Sequence, residues 1–300
     1  MIDLVYIASP SYSGSTLLTF LLNAHPAIAT VGELKWGAID LETYRCSCGS
    51  LLRECAFWAE MERRVRARGL PFDLNRPATD FRCRDHALAD RIVRARLRGP
   101  VFERLRDAAV RWMRPTREAW DTIRRLNRAM MEIAMDLQGG RMFLDGSKDP
   151  VRLKYLLDTG DYNVRVIQLL RDGRAVVNSA MKNQSMSPEL AACEWVRTHE
   201  QIERLAERIG RDRVLVMRYE DLCQDVAGEL ARVWNFLGVP AADAPADYRA
   251  AEHHILGNRM RLQDTGEIKL DEKWRSSLDP GALETFYRVG AGPNRRYGYD

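Results

Sequence analysis

No apolar run in the chain approaches the roughly 18 uncharged residues needed to cross a bilayer, so no membrane-spanning helix is expected. The first strand is expected from Ile2, which leaves no room for the charged and hydrophobic regions of a secretory leader; the expectation is a cytoplasmic protein. The Gly/Ser turn near the start lacks a lysine. A Walker loop needs G-x-x-x-x-G-K-[ST], whereas here Ser9 stands at the first glycine, Gly14 at the second and Ser15 at the lysine; only Thr16 fits. Without that cation against a β/γ-phosphate, ordinary nucleotide hydrolysis is disfavoured. "SYSGS" also lacks the flanking glycines of a G-x-S-x-G elbow, which excludes a serine hydrolase of that type. There is no C-x-x-C pair: one residue separates Cys46 from Cys48, Cys55 follows, and Cys83 and His86 come later. In a reducing compartment a stable disulfide is disfavoured, which leaves free thiols or a redox-labile pair as the reading adopted and a structural zinc as the alternative. Cys193 and Cys223 read as packed helical residues, and His253 and His254 as a polar loop. Internal repeats and low-complexity linkers are also absent.

What is present is a globular composition, 300 residues and 46% hydrophobic, with strand and helix patterns in alternation. β-branched stretches at 2–8, 141–145, 163–172 and 213–221 read as strands. Helical patterns follow them at about 15–23, 151–159, 173–183, 188–210 and 226–238. Strands joined by helices imply right-handed crossovers and a parallel sheet, with ligands at the carboxyl ends of the strands. The rhythm is interrupted at about 40–138 by the cysteine segment and a long arginine-rich helical region, roughly 58–138, which Gly139 and Gly140 end. The expectation is one α/β domain over residues 1–300 with this helical insertion. Net charge is only +4, but Arg82–Arg128 holds fourteen arginines against six acids, +8, leaving −4 elsewhere. Such a run is a solvated helix face in the bland reading; in the other it draws an acidic acceptor or gives peripheral contact with an anionic membrane. No nucleic-acid motif accompanies it. Trp58, Trp112 and Trp120 in the insertion are candidates for an acceptor wall.

Four places fall at or beyond strand carboxyl ends. In "SPSYSGST" a strand enters a Gly/Ser turn that opens a helix; unpaired amides at a helix start grip phosphate, the plainer alternative being simple Ser and Thr caps. Glu33 comes one helix later. "DGSKDP" carries Lys148. "LLRDGRAVVNS" carries Arg171 and, eight residues on, Ser179, two turns into the next helix and on nearly the same face, so that the pair can hold one phosphate.

On these motifs the chain resembles the sulfotransferase superfamily, enzymes that use 3′-phosphoadenosine 5′-phosphosulfate (PAPS) and release adenosine 3′,5′-bisphosphate (PAP). It is closest to the tyrosylprotein-type and bacterial glycan-type members. The resemblance implies a P-loop-like parallel β-sheet flanked by helices. It also implies that Tyr12, Ser13, Gly14, Ser15 and Thr16 form the 5′-phosphosulfate loop, and that Arg171 and Ser179 bind the 3′-phosphate. "NAHPAIATVGE" brings Glu33 to the position of the catalytic base, and "SKDP" gives Lys148 the role of the assisting lysine. Tyr219 in "MRYEDL" and Lys273 in "EKW" match cofactor-binding positions; "GNRMR" is similar to the family's nucleotide loop. Two positions depart from the pattern: Tyr12 stands where the family has Lys or Arg, and Asn183 where it has another arginine. The implied reaction is transfer of a sulfonate to a hydroxyl or amine of a small-molecule, glycan or lipid acceptor, with no metal required. Tyr12 leaves an inactive nucleotide-binding homologue as the alternative, and a P-loop-type phosphotransferase follows it, opposed by Ser15.

Overall fold

In a computed structural model the protein is described at residues 1–35, 37–94, 100–262 and 267–300. Residues 95–99 of the arginine run lie outside them. The order begins β1 (Ile2–Ala8), α1 (Ser15–Asn23) and β2 (Ile28–Thr30), then α2 (Ala56–Ala67), α3 (Ala87–Arg94), α4 (Pro100–Trp112) and α5 (Arg114–Gln138). It continues with β3 (Met142–Lys148), α6 (Pro150–Thr159), β4 (Tyr162–Leu170), α7 (Gly173–Gln184), α8 (Pro188–Ile209) and β5 (Val214–Arg218). α9 (Tyr219–Gln224), α10 (Val226–Leu237), α11 (Trp274–Ser277) and α12 (Pro280–Arg296) complete it.

Among the described residues five strands form one parallel sheet in the order β2-β3-β1-β4-β5. This is the P-loop-like α/β architecture, with β1 central because its first crossover leads away and the chain later returns on the other side. Alternation along β1 divides the core: Ile2, Leu4, Tyr6 and Ala8 face α2, α5 and α6, while Val5 and Ile7 face α1, α9 and α10. A third apolar cluster, around Trp195 and Phe286, joins α7, α8 and α12.

The stretch between β2 and β3 carries α2 to α5 and is not one continuous helical region. Gly69, Pro71 and Pro77 interrupt it, because proline lacks the amide a helix interior needs, and the chain runs irregularly from 68 to 86. Its arginines are laced with acids: Arg82 with Asp90, Arg111 with Asp158, Arg124 with Asp161, and Arg128 with Glu132. Leu88, Val101, Phe102, Leu105 and Trp112 are exposed on α3 and α4. Among the described residues no helix is long and apolar enough to cross a membrane.

One buried ion pair fixes the end of β3. Arg152, in the first turn of α6, donates from Nε to Asp145 Oδ2 at 2.9 Å, and both side chains are 0% exposed. The other guanidinium nitrogens donate to Thr79 O (2.7 Å) and Asn127 Oδ1 (2.6 Å), both from the insertion. Asp145 Oδ1 in turn accepts from Ser147 N (2.9 Å) and Ser147 Oγ (2.5 Å). Removing one partner strands the other charge in the core, at a cost of about 3–5 kcal/mol. Urea denaturation should show Arg152→Met losing that much stability; a loss under about 1 kcal/mol would mean that the pair does not hold the strand end.

His199 on α8 is buried against Trp195 and Tyr297, and burial holds its imidazole down to about 3. Below about pH 6.5 the unfolded chain takes up a proton that the folded chain refuses, so stability is lost as pH falls from about 6.5 toward 3. Denaturation measured between pH 7 and pH 4 should show His199→Leu flattening this slope by about one proton; an unchanged slope would remove His199 from the account.

Candidate functional site

The carboxyl edge of the sheet collects the residues singled out above from four parts of the chain. α1 begins at the Gly/Ser turn with Gly14 as its cap and no side-chain capping bond, so its first amides are open. Tyr12 (φ 66°) and Gly14 (φ 88°) both take left-handed backbone, which curls the turn back over the strand end. A Cβ on Gly14 would stand 2.3 Å from Cδ2 of Tyr219, so the turn lies directly on that ring. The hydroxyls of Ser9 and Ser13 are buried and find no hydrogen-bond partner among the described residues. Orphaned donors beside open helix amides are what an anion would satisfy.

Glu33 follows β2 and is held from two sides. Gly146 N donates to Gly32 O at 2.8 Å, and the Glu33 amide donates to Leu256 O at 3.3 Å. Gly257 packs against the carboxylate, where a Cβ would come within 2.6 Å of Glu33 Oε1. Lys148, the last residue of β3 and itself left-handed at φ 69°, pairs its Nζ with Glu33 Oε1. Backbone strain of this kind persists only where surroundings enforce it, and here the Asp145 and Ser147 bonds do so. The two side chains keep 23% and 14% exposure, enough for a substrate to reach them. Lys35, which the sequence reading passed over, pairs with Asp149 beside them, its amide held by Ser147 Oγ at 2.9 Å.

These groups form the floor of a cleft of about 1120 Å³. The cleft is also lined by Ser9, Ser11 and Tyr12 of the turn, by Phe81, Arg82 and Arg106 of the insertion, and by Arg197 and Arg204 of α8. The insertion thus lines the cleft, but through other residues than the expected tryptophans. Trp58 is wholly buried, Trp112 is 82% exposed on the outer surface, and Trp120 packs behind Phe81 and Tyr155. Their apolar area is taken by the core or turned outward.

Arg171 lies at the end of β4, next to the turn. Nη1 donates to Tyr12 O at 2.7 Å, Nη2 donates to Asp271 O at 2.9 Å, and the guanidinium lies 4.5 Å from the Tyr219 ring centroid. Only its Nε is buried without a partner. Its acidic neighbour is Asp271, at 3.4 Å; Asp145 and Asp172 are engaged by Arg152 and Arg174. Ser179 lies half-buried on α7, its carbonyl accepting from Asn183. Lys273 is exposed at the start of α11, which Ser277 ties to α7 through Asn178 Oδ1 (3.2 Å) and Lys182 Nζ (2.9 Å). The segment 271–277 is therefore tied to the 171–182 stretch at two points, Asp271 at Arg171 and Ser277 at Asn178 and Lys182. Burial raises the phenol of Tyr12 above its usual value, so it is neutral at pH 7.

Three cysteines and a histidine also meet, apart from the cleft: Cys46, Cys48, Cys55 and His254. The sequence reading placed His254 in a polar loop, and Cys83 and His86 do not join the group.

The model of the sulfotransferase family matches residues 5–243. Among solved structures, the sulfotransferase domain from the curacin biosynthetic pathway aligns with a TM-score of 0.53 at 15% identity, covering 100% of this chain and 99% of that one. Sulfotransferase STF9 from Mycobacterium avium aligns with a TM-score of 0.50 at 17% identity, covering 100% and 78%. At such identities the structures speak to fold alone. No curated protein sequence matches the chain. With four fifths of its length matched by the family model and its sheet and turn built as described, the chain belongs to the sulfotransferase family, and family and fold together support a sulfotransfer reaction.

Proposed function

We propose that the protein transfers a sulfonate from PAPS to a hydroxyl or amine of an acceptor held in the cleft. The observation that carries the reading is the Glu33–Lys148 ion pair on the cleft floor, beside a turn whose Ser9 and Ser13 hydroxyls are buried and unpartnered. The donor supplies an activated sulfonate: a bond forms from the acceptor to sulfur, and the bond from sulfur to the 5′-phosphate oxygen breaks. The amides and hydroxyls of Ser13, Gly14, Ser15 and Thr16 hold that phosphosulfate end, and the Tyr219 ring under Gly14 fixes the turn. Arg171, Ser179 and Lys273 receive the 3′-phosphate, for which Arg171 exchanges a backbone carbonyl for the anion. Glu33 accepts the acceptor's proton, and Lys148 turns from Glu33 to the charge growing on the leaving oxygen.

Tyr12 offers one neutral donor where the family has a cation. Arg171 lies on the Tyr12 carbonyl, but in this reading it serves the 3′-phosphate, so Lys148 carries more of the electrostatic stabilisation. The cleft is larger than the usual span of about 300–1,000 Å³ for small-ligand sites and mixes Arg82, Arg197 and Arg204 with Asp80, Glu103 and Glu200. That lining suits a polyhydroxylated acceptor such as a glycan or a glycolipid headgroup. The exposed apolar residues of α3 and α4 favour an acceptor presented at a lipid surface, through peripheral contact of these helices.

PAP at about 100 times its Kd should stabilise the chain by about 2.7 kcal/mol in thermal unfolding, ATP should not, and Gly14→Val should abolish the shift. Equal stabilisation by ATP would favour the phosphotransferase. With PAPS and an acceptor panel, Glu33→Gln should lower kcat about 10²–10⁴-fold and Lys148→Met about 10²–10³-fold, with the PAP shift retained in both. Binding of PAP without turnover by the natural chain would mark an inactive homologue.

A further inference from the structure

The cluster of Cys46, Cys48, Cys55 and His254 has the dimensions of a metal site. Nδ1 of His254 lies 3.7 Å from Cys46 Sγ and 3.3 Å from Cys55 Sγ, and Cys48 Sγ lies 3.7 Å from Cys55 Sγ. All four ligand atoms fall within 4.8 Å of one another. A tetrahedral zinc with Zn–S near 2.3 Å and Zn–N near 2.0–2.1 Å has S···S edges of about 3.8 Å and S···N edges of about 3.5 Å. The three separations match those edges. A disulfide, with sulfurs about 2.05 Å apart, would join two of the cysteines and leave the third and the imidazole without a purpose.

The surroundings are those of a built site. Nε2 of His254 meets Glu252 Oε1 at 3.1 Å, which orients the ring with Nδ1 toward the sulfurs, and a carboxylate in that place raises the basicity of a ligating imidazole. The Phe57 ring stacks on His254 at 4.5 Å with planes 8° apart. Between the first two cysteines, Ser47 Oγ accepts from Ile255 N (2.7 Å) and donates to His253 O (3.1 Å), so the two strands of chain are already aligned. Cys46 starts a tight turn closed by Gly49 N to Cys46 O at 3.0 Å, with Gly49 left-handed at φ 91°.

We propose that Cys46, Cys48, Cys55 and His254 bind one zinc ion as a closed Cys3His structural site. Three thiols release their protons to solvent on binding, and four protein ligands leave no open position, so the ion takes no part in the chemistry. Its work is to clamp the 46–55 segment to residues 252–257. That second segment carries Leu256, whose carbonyl receives the Glu33 amide, and Gly257, which packs on the Glu33 carboxylate. Gly257 is held further by Tyr44 and Arg261: its carbonyl accepts from Arg261 Nη1 at 2.6 Å. Zinc at this place positions Glu33 without touching substrate.

Elemental analysis of the full chain, purified under reducing conditions without chelator, should find one zinc per chain. Metal-stripped protein should take up Co²⁺ with thiolate charge-transfer and tetrahedral d–d bands, and Zn²⁺ should displace them. Cys48→Ser and His254→Asn should each lose most of the zinc, while Cys83→Ala keeps it. Because a ligand variant can fail to fold, the cobalt spectrum of the unaltered chain stands as the independent measurement. A folded chain with no zinc and no cobalt spectrum, full zinc in both ligand variants, or a Cys48–Cys55 disulfide in the native protein by mass spectrometry would each overturn the site.

Discussion

The ion pair of Asp145 with Arg152 is the constraint from which the candidate site follows. It is completely buried, and it reaches in three directions: to Ser147 at the end of β3, to α6, and through Thr79 and Asn127 to the insertion. An ion pair in that setting adds little net stability, because desolvating both charges offsets most of their attraction. Its value is in geometry. Nε, Nη1 and Nη2 of Arg152 each reach a different acceptor, and at the strand end they hold, Lys148 takes a left-handed conformation with its amine on Glu33. The insertion does not merely sit beside the sheet; its backbone at Thr79 is part of the scaffold that aims Lys148.

Glu33 is fixed by a different set of parts. Gly146 draws the end of β2 to β3, and residues 252–257 return from the far end of the chain to receive the Glu33 amide. Glu33 and Lys148 thus share the support of β3, Glu33 being held in addition by residues 252–257, and they meet at the cleft floor. The Gly/Ser turn is the third support, curled over β1 by two left-handed residues and resting on Tyr219.

Much of this was legible because it is local. The β-branched run before "SYSGST" and the apolar run after it specify strand, turn and helix within twenty residues, and the alternating pattern over 141–238 gives the parallel sheet. Glu33 and Lys148, both placed at strand ends, do meet. The unread parts depend on long-range contacts. His254 is 199 residues from Cys55, so no spacing rule couples them. Lys35 stands in no motif of the sequence; its partner Asp149, the cap of α6, is 114 residues away. The eight-residue spacing of Arg171, which lies before α7, and Ser179, which lies on it, could not show that Tyr12 O and Asp271 O already occupy two of the guanidinium nitrogens. The tryptophans of the insertion misled because aromatic area is as useful to a core as to a binding wall; here Trp58 and Trp120 serve the core. Gly69, Pro71 and Pro77 mark the break in the insertion, inside the stretch whose composition reads as one long arginine-rich helical region.

The central claim is that one nucleotide spans the Gly/Ser turn and the Arg171 region while its reactive end faces the Glu33–Lys148 pair. A crystal structure with PAP bound tests it most directly. The account predicts the 5′-phosphate on the amides of Ser13 to Thr16, next to Lys148, and the 3′-phosphate on Arg171 with its bond to Tyr12 O or Asp271 O released. A nucleotide bound elsewhere, or with its phosphates reversed between the two places, would contradict it.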